Sequence, residues 1–378
     1  MRVGIFVTAA FVREEYREAV SGHVQISLMA ASILAIAGHN VTLITTKEPD
    51  AHYLPYELAS TLQVCIVQHA TRAWPEHRVY AGKAIKQTLQ LLRLMRKGRF
   101  DVVHFFGGTT TGLLLCILKS MGIRSVAFYT PTKRLPVYQS AVRNSITKSA
   151  FKRVCRVLAT ADYVSSGWAS FVGEHNVLAM YPGIMKQISE SPGTACKNSV
   201  LFWRNAGYDN GVDIAVKSFR TLAPKYPDTR FVFAVRPHDQ YEEELLELGR
   251  EVENVDVHIY PYGNGVSLAG LFRNARFVVQ PFRSLSVNPQ MSILETLYAG
   301  IPVIATAVES NDEVIRHEQN GLLIPPNDEA ALSSAIERLL SDTRLLAKLT
   351  RDARRVTECR WNWDSFGRRL LGVYDGLC

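Results

Sequence analysis

No apolar stretch of this 378-residue chain approaches the ~18 residues needed to cross a bilayer. The longest, Leu28–Ala37 and Leu113–Leu118, are interrupted or short. The six cysteines (65, 116, 155, 196, 359 and 378) are scattered and form no Cys-x-x-Cys pair. That excludes a disulfide framework and a zinc ribbon, and it fits single buried thiols in a reducing compartment. No G-x-G-x-x-G follows the first apolar run, where Phe6–Val7–Thr8–Ala9–Ala10 stands instead, so a nicotinamide dehydrogenase is excluded. Gly-Lys-Ser/Thr is absent, which removes the P-loop nucleotidases, and there is no Asp-x-Asp metal motif. Met1–Val12 has only Arg2 ahead of its apolar residues and no small-residue cleavage site, so it reads as a first strand and not as a signal peptide.

What is present is ordinary for a globular chain: 47% hydrophobic and 21% charged residues. The net charge of +8 is lopsided. Residues 1–182 carry 21 Lys/Arg against 10 Asp/Glu, and residues 183–378 carry 22 against 25. The first half is therefore suited to meet something anionic, whether phosphates, a membrane surface or an acidic substrate. From Arg124 to Arg156 there are eight cations and no acid, interleaved with Val142, Ile146, Phe151 and Val154 at helical spacing. Such a segment can lie on an anionic membrane, or can pack its apolar side on a sheet with its charges solvated.

Short β-branched runs alternate with apolar patterns of helical length. Strands are predicted at Arg2–Thr8, Val41–Thr46, Val64–Gln68, Val102–Phe106 and Ser125–Tyr129. The intervening helices fall at His23–Ala37, Lys83–Arg96, Thr111–Met121 and Tyr138–Cys155. The pattern repeats with strands at Val200–Trp203, Phe231–Val235, Val255–Tyr260, Phe277–Gln280 and Val303–Ala305. The second set of helices is Gly211–Ala223, Tyr241–Glu251, Val266–Asn274, Met291–Ala299 and Asp328–Leu340. This is the grammar of an α/β protein with two Rossmann-like, doubly wound parallel-sheet domains, 1–182 and 199–359. A Pro-, Gly- and Ser-rich linker, 183–198, joins them, and a C-terminal helix within 360–378 is expected to pack back towards the first domain. Ligands of such sheets bind beyond the carboxyl ends of the strands, so a site facing the cleft between the domains is expected.

The most informative stretch is QPFRSLSVNPQMSILETLYAGIPVIAT, from Gln280 to Thr306. A helix is predicted to start near Pro289–Met291, and its free N–H groups would suit a phosphate. Glu295 lies one to two turns further in. A carboxylate there would be repelled by the phosphate itself but could accept bonds from the vicinal hydroxyls of a ribose; the plain alternative is a capping or surface acid.

Here the chain resembles the GT-B-fold retaining glycosyltransferases of family 4. The strings that carry the resemblance are Leu294–Ala305 (LETLYAGIPVIA against the family's LLEAMACGxPVIA) and Asn320–Pro326 (NGLLIPP against NGLLVPP). Weaker support comes from Gly38–Thr45, Asp101–His104, Ala161–Asp162 and Tyr181–Ile184. The resemblance implies a nucleoside-diphosphate sugar as donor, a glycan or lipid-linked acceptor, no metal or other cofactor, and no nucleic acid. It also implies a cytoplasmic protein, peripheral at the inner face of the membrane, working in glycan, polysaccharide or glycolipid synthesis.

By the same resemblance, Glu295 holds the ribose, and Arg204 with Asn210 stands where relatives have an Arg…Lys phosphate clamp; Asn210 replaces the lysine. The family's first glutamate falls on Val287. The loop Asn288–Pro289–Gln290–Met291, followed by Ser292, is then left to reach the sugar through backbone N–H groups and the Asn288 amide. Gly22, before the first long helix, stands where relatives have a Gly-Gly loop over the donor phosphates and permits close backbone approach, with an ordinary turn as the alternative. Arg236 and Tyr262 lie at strand ends that would face the base, with a plain surface position as the alternative for either. His104 and Thr130 are weak candidates on the acceptor side; His104 is read as facing the cleft, with a structural histidine as the alternative. The substitutions at Val287 and Asn210 keep open a degenerate, non-catalytic subunit, and the fold keeps open a sugar-nucleotide epimerase.

Overall fold

The computed structural model describes residues 1–7, 10–11, 22–46, 60–67, 81–106, 125–130, 156–184, 197–236, 240–263 and 265–376, with isolated positions between 141 and 151. Contacts divide the chain into two units, Met1–Pro182 with Asp364–Cys378, and Gly183–Trp363. Of the predicted linker, 185–196 lie outside the described residues, as do the helix predicted at Thr111–Met121 and most of the basic segment.

The described elements of the first unit are β1 (Arg2–Val7), α1 (Gly22–Ile36), β2 (Asn40–Thr46), β3 (Gln63–Val67), α2 (Ala81–Gly98), β4 (Val102–Phe106), β5 (Ser125–Thr130), β6 (Arg156–Ala159), α3 (Asp162–Val172) and β7 (Val177–Ala179). The seven strands pair in the order β3-β2-β1-β4-β5-β6-β7, all parallel. β1 and β4 are buried on both faces, as parallel strands covered by helices must be, and so they read as continuous apolar runs. Gly38, at φ +86, turns the chain out of α1 and into β2.

The second unit holds β8 (Ser199–Asn205), α4 (Val212–Leu222), β9 (Arg230–Arg236), α5 (Glu242–Glu251), β10 (Val255–Ile259), α6 (Leu268–Asn274), β11 (Ala275–Gln280), α7 (Met291–Tyr298), β12 (Val303–Thr306), α8 (Asn311–Val314), β13 (Gly321–Ile324), α9 (Glu329–Ser341) and α10 (Thr343–Cys359). Its parallel sheet runs β10-β9-β8-β11-β12-β13. α4 buries Val212, Ala215, Val216, Phe219 and Leu222 and leaves Lys217 and Arg220 in solvent. Phe219 meets Phe231 and Phe233 at ring separations of 5.0 and 4.8 Å. Truncating such a ring in a packed core costs ~3–5 kcal/mol.

The last helix, α11 (Trp363–Asp375), belongs from Asp364 onward to the first unit. Gly367 packs against Ile33 of α1, and Arg369 donates to the Ala179 carbonyl at 2.9 Å. Tyr374 is fully buried, with its hydroxyl 3.0 Å from His104 Nδ1.

Several elements differ from the sequence pattern. β6 and β7 have four and three residues, too short for alternation to register. α10 is 17 residues long but carries many charges; Leu349 and Ala353 are its buried apolar side chains among those described. The helix of the key stretch starts at Met291, so Pro289 lies two residues ahead of it and not in its first turn.

Candidate functional site

Three of the predicted donor residues, Arg204, Arg236 and Glu295, lie near the carboxyl edge of the second unit's sheet. β8 ends in Trp203–Arg204–Asn205, and its register sets Arg204 beside Val235 and Asn205 beside Arg236, the last residue of β9. Arg204 has φ +101, a conformation that L side chains rarely adopt and that needs support from its surroundings. That support comes from α7. Arg204 Nη1 donates to Glu295 Oε2 at 2.9 Å, and Trp203 Nε1 donates to Thr296 Oγ1 at 3.0 Å. Successive residues of one strand are thus tied to successive residues of one helix.

Glu295 is buried, with only 8% of its side chain exposed. Burial pushes its carboxyl above the ordinary glutamate range, and the guanidiniums of Arg204 and Arg236 pull it back. Arg236 feels both neighbours: burial and the like charge of Arg204 push it down to about 10, and Glu295 opposes this. It stays protonated at neutral pH, so Glu295 has one cation bonded to it in Arg204 and feels a second in Arg236. Sequence reasoning sends Arg236 to the base; the structure sets it with Arg204 and Glu295. Tyr262 is half-buried further along that edge, edge-to-face with Tyr260 at 5.3 Å.

Asn210, at the lysine position, has a structural contact. Its amide donates to the Asn205 carbonyl at 3.0 Å and closes the turn between β8 and α4. Gly211 follows at φ +70, and a Cβ there would stand 2.0 Å from the Pro281 carbonyl oxygen, so only glycine fits. Arg283, which the sequence does not single out, locks the same region. It donates to both Asp213 carboxylate oxygens at 2.7 and 2.8 Å, to the Tyr208 carbonyl and to Asn327 Oδ1 at 2.6 Å each. Its guanidinium also lies 3.8 Å from the Tyr208 ring centroid. Burial alone would raise the Asp213 carboxyl; the bidentate Arg283 outweighs that and holds it below the ordinary range.

The loop ahead of α7 is also corrected. The sequence offers the Asn288 amide to a sugar, but Asn288 is 3% exposed and committed to the protein. Its Nδ2 donates to Glu309 Oε2 at 2.7 Å, and its Oδ1 accepts from Ser310 Oγ at 2.7 Å. Gln290 is the helix N-cap residue and makes no side-chain capping bond; Ile293 and Leu294 N–H groups bond its carbonyl. Pro289, Met291 and Ser292 are buried. Among the described residues, Gln290 Oε1, Ser292 Oγ and both amide atoms of Gln280 are buried without a hydrogen-bond partner in the chain. Buried polar groups left unpaired cost ~1–3 kcal/mol each.

In the first unit, His104 is the third residue of β4 and is fully buried. It stacks on Phe106 at 4.4 Å, and burial pushes it down to about 3, so it is neutral. The expectation that it faces a ligand is overturned: α11 covers it. Thr130, at the end of β5, is buried, and its carbonyl accepts from the Thr160 N–H at 3.2 Å. Gly22 is the first residue of α1.

Two family models match the chain. The model described as Glycosyltransferase Family 4 matches residues 21–184, and the model described as Glycosyl transferases group 1 matches residues 186–356. The second contains Arg204, Arg236 and Glu295. The chain belongs to the glycosyl transferases group 1 family. This group 1 chain is 21% identical over 388 residues to the phosphatidyl-myo-inositol mannosyltransferase of Mycolicibacterium smegmatis, a match covering 99% of this chain and 94% of that protein. Against other curated relatives the match is partial, spanning 44%, 18% and 29% of their lengths, so the chain spans less than half of each. Solved structures share the group 1 chain's GT-B fold. Sucrose-phosphate synthase from Thermosynechococcus elongatus superimposes with a TM-score of 0.78 at 17% identity, covering 100% of this chain and 99% of that one. Anabaena HepE in complex with UDP gives 0.73 at 12% identity, covering 100% of both chains.

Proposed function

We propose that this chain transfers a sugar from a nucleoside-diphosphate sugar to an acceptor hydroxyl, with retention at the anomeric carbon. The observation that carries this reading is the Arg204–Glu295–Arg236 cluster: a buried acid bonded to one cation and under the influence of a second, at the carboxyl edge of a parallel sheet and next to a helix start. In this reading Arg204 moves from Glu295 to the diphosphate, Arg236 supplies the second cation that Asn210 does not, and Glu295 is freed to accept the ribose hydroxyls. The C1–O bond to phosphate breaks and the acceptor oxygen bonds C1 on the same face. The leaving phosphate oxygen takes the acceptor's proton. Side-chain cations carry the developing charge, so no metal or other cofactor is assigned. Stabilising charge on the leaving group is usually the largest catalytic contribution.

HepE's complex with UDP supports a nucleotide donor, and the mannosyltransferase relative, by its name, supports an inositol-lipid type of acceptor. We assign acceptor recognition to the first unit, in which Thr130 stays a candidate while Gly22 stays a candidate for the donor phosphates, and place the protein at the cytoplasmic face of a membrane, in polysaccharide or glycolipid synthesis. Among the described residues no helix is long and apolar enough to cross a membrane. The excess positive charge of residues 1–182 favours peripheral attachment. Co-sedimentation with liposomes should then rise with anionic lipid content and fall with salt, within the ~8–10 Å screening length of physiological buffer. Activity on a soluble acceptor with no liposome binding at low salt would remove the membrane.

A panel of UDP-, GDP-, ADP- and dTDP-sugars tests the donor. A ligand at a hundred times its Kd stabilises by ~2.7 kcal/mol, a shift of several degrees for units of this size. The expected result is one base class giving such a shift, followed by release of nucleoside diphosphate when acceptor is added. Val287 and Asn210 favour a second reading, a non-catalytic binding subunit. A shift without turnover on any acceptor would support that reading, and epimerised sugar in the product would identify an epimerase.

A further inference from the structure

The loop Leu285–Gln290 contains no acid, yet a carboxylate grips it from a distance. Glu309 stands in the turn after β12, at φ +48, left-handed backbone that an L side chain adopts only at a cost. Its Oε1 accepts from the Leu285 N–H at 3.2 Å, and its Oε2 accepts from Asn288 Nδ2 at 2.7 Å. These anchors lie on either side of Val287. The neighbouring Ser310, itself buried, clasps the other end of the same amide through both its Oγ, at 2.7 Å, and its N–H, at 3.3 Å. Asn288 is thereby held at both ends of its amide by one two-residue turn. A residue that merely decorated a surface would have no reason to accept left-handed backbone and aim both carboxylate oxygens at one loop.

We propose that Glu309 is a positioning residue for the donor sugar: it holds the loop Leu285–Gln290 against the start of α7 without touching the sugar itself. This rests on the reading above that the loop meets the sugar of a nucleoside-diphosphate sugar. Because the anchors flank Val287 and lie ahead of the helix, releasing them should disturb the sugar end of the site and spare the Arg204–Glu295–Arg236 end, where the nucleotide is placed.

The test uses the full chain and two variants. Glu309→Gly removes the carboxylate and at the same time suits φ +48, so relief of the left-handed backbone offsets part of the lost hydrogen bonding, and thermal unfolding checks that the variant is folded at the assay temperature. In this variant kcat/KM for the nucleotide sugar should fall by about tenfold or more, as expected for lost charge-assisted bonds. Affinity for the nucleoside diphosphate alone should stay within about twofold, since those bonds do not reach its cluster. Glu309→Gln keeps one acceptor oxygen and should fall between the two. Wild-type kcat/KM in Glu309→Gly would overturn the positioning role, as would an equal loss for nucleotide sugar and nucleoside diphosphate. Failure of the wild type to bind any nucleotide or nucleotide sugar would overturn the functional reading itself, and the positioning role with it.

Discussion

Replacing Glu295 with alanine is expected to weaken nucleotide binding by on the order of a hundredfold while the chain stays folded, because two charge-assisted hydrogen bonds to a ribose are worth roughly 3 kcal/mol. A rival account makes Glu295 only a counter-ion that holds Arg204 in its left-handed position. The two accounts differ in sign. If Glu295 is only a counter-ion, deleting it leaves Arg204 and Arg236 facing each other with no acid between them, and affinity for any anion should rise. If it binds ribose, affinity for inorganic diphosphate rises while affinity for the nucleoside diphosphate falls. Calorimetric titration of both ligands separates these outcomes, and unchanged nucleoside diphosphate affinity would end the ribose role. The pH dependence follows from the same burial. The Glu295 carboxyl lies above the ordinary glutamate range, so it is protonated at pH values where an exposed glutamate, at ~4.3, is still charged. Nucleotide affinity should therefore begin to fall above that ordinary range as pH drops, and Glu295→Gln should lose this acid limb.

Arg204→Ala is expected to lower kcat by about a hundredfold to a thousandfold, the range for removing one preorganised group that stabilises developing charge. The donor KM should change far less, because the charge on the leaving diphosphate grows towards the transition state. Alanine does not relieve φ +101, so the effect belongs to the guanidinium and not to released strain. Lysine at this position keeps the charge and loses the fork, and should recover only part of kcat. A variant whose whole loss appears in KM would make Arg204 a binding residue and contradict the role given to it.

How far these residues were legible in the sequence depended on whether their signal was local. The alternation of β-branched and helical patterns predicts parallel α/β sheets because both faces of each strand are buried. The LETLYAGIPVIA and NGLLIPP strings place Glu295 on a helix behind a strand. His104 shows the limit of that reasoning: along a strand buried on both sides, periodicity carries no face information, so nothing told a cleft-facing histidine from one covered by α11. Arg236 was visible as a strand-end residue but not as an electrostatic neighbour of Arg204, since only sheet register sets it beside Asn205, the residue after Arg204. Arg283 and Glu309 were invisible for a different reason. Each is an ordinary charged loop residue in sequence, and each acts on partners 21 or more positions away. Asn288 looked available because its commitments come from that same distant turn. Short β7 escaped because tertiary pairing, not local pattern, stabilises it; α10 does carry a helical repeat of Leu345, Leu349 and Ala353 among its charges.

The most direct test of the Arg204–Glu295–Arg236 site is a crystal structure of the full chain with the nucleoside diphosphate that gives the largest thermal shift. The account predicts ribose O2′ and O3′ within ~2.6–3.2 Å of the Glu295 carboxylate, and diphosphate oxygens on the Arg204 guanidinium near the start of α7. A nucleotide bound elsewhere, or bound with the 2.9 Å Arg204–Glu295 contact intact and neither side chain on the ligand, would contradict it.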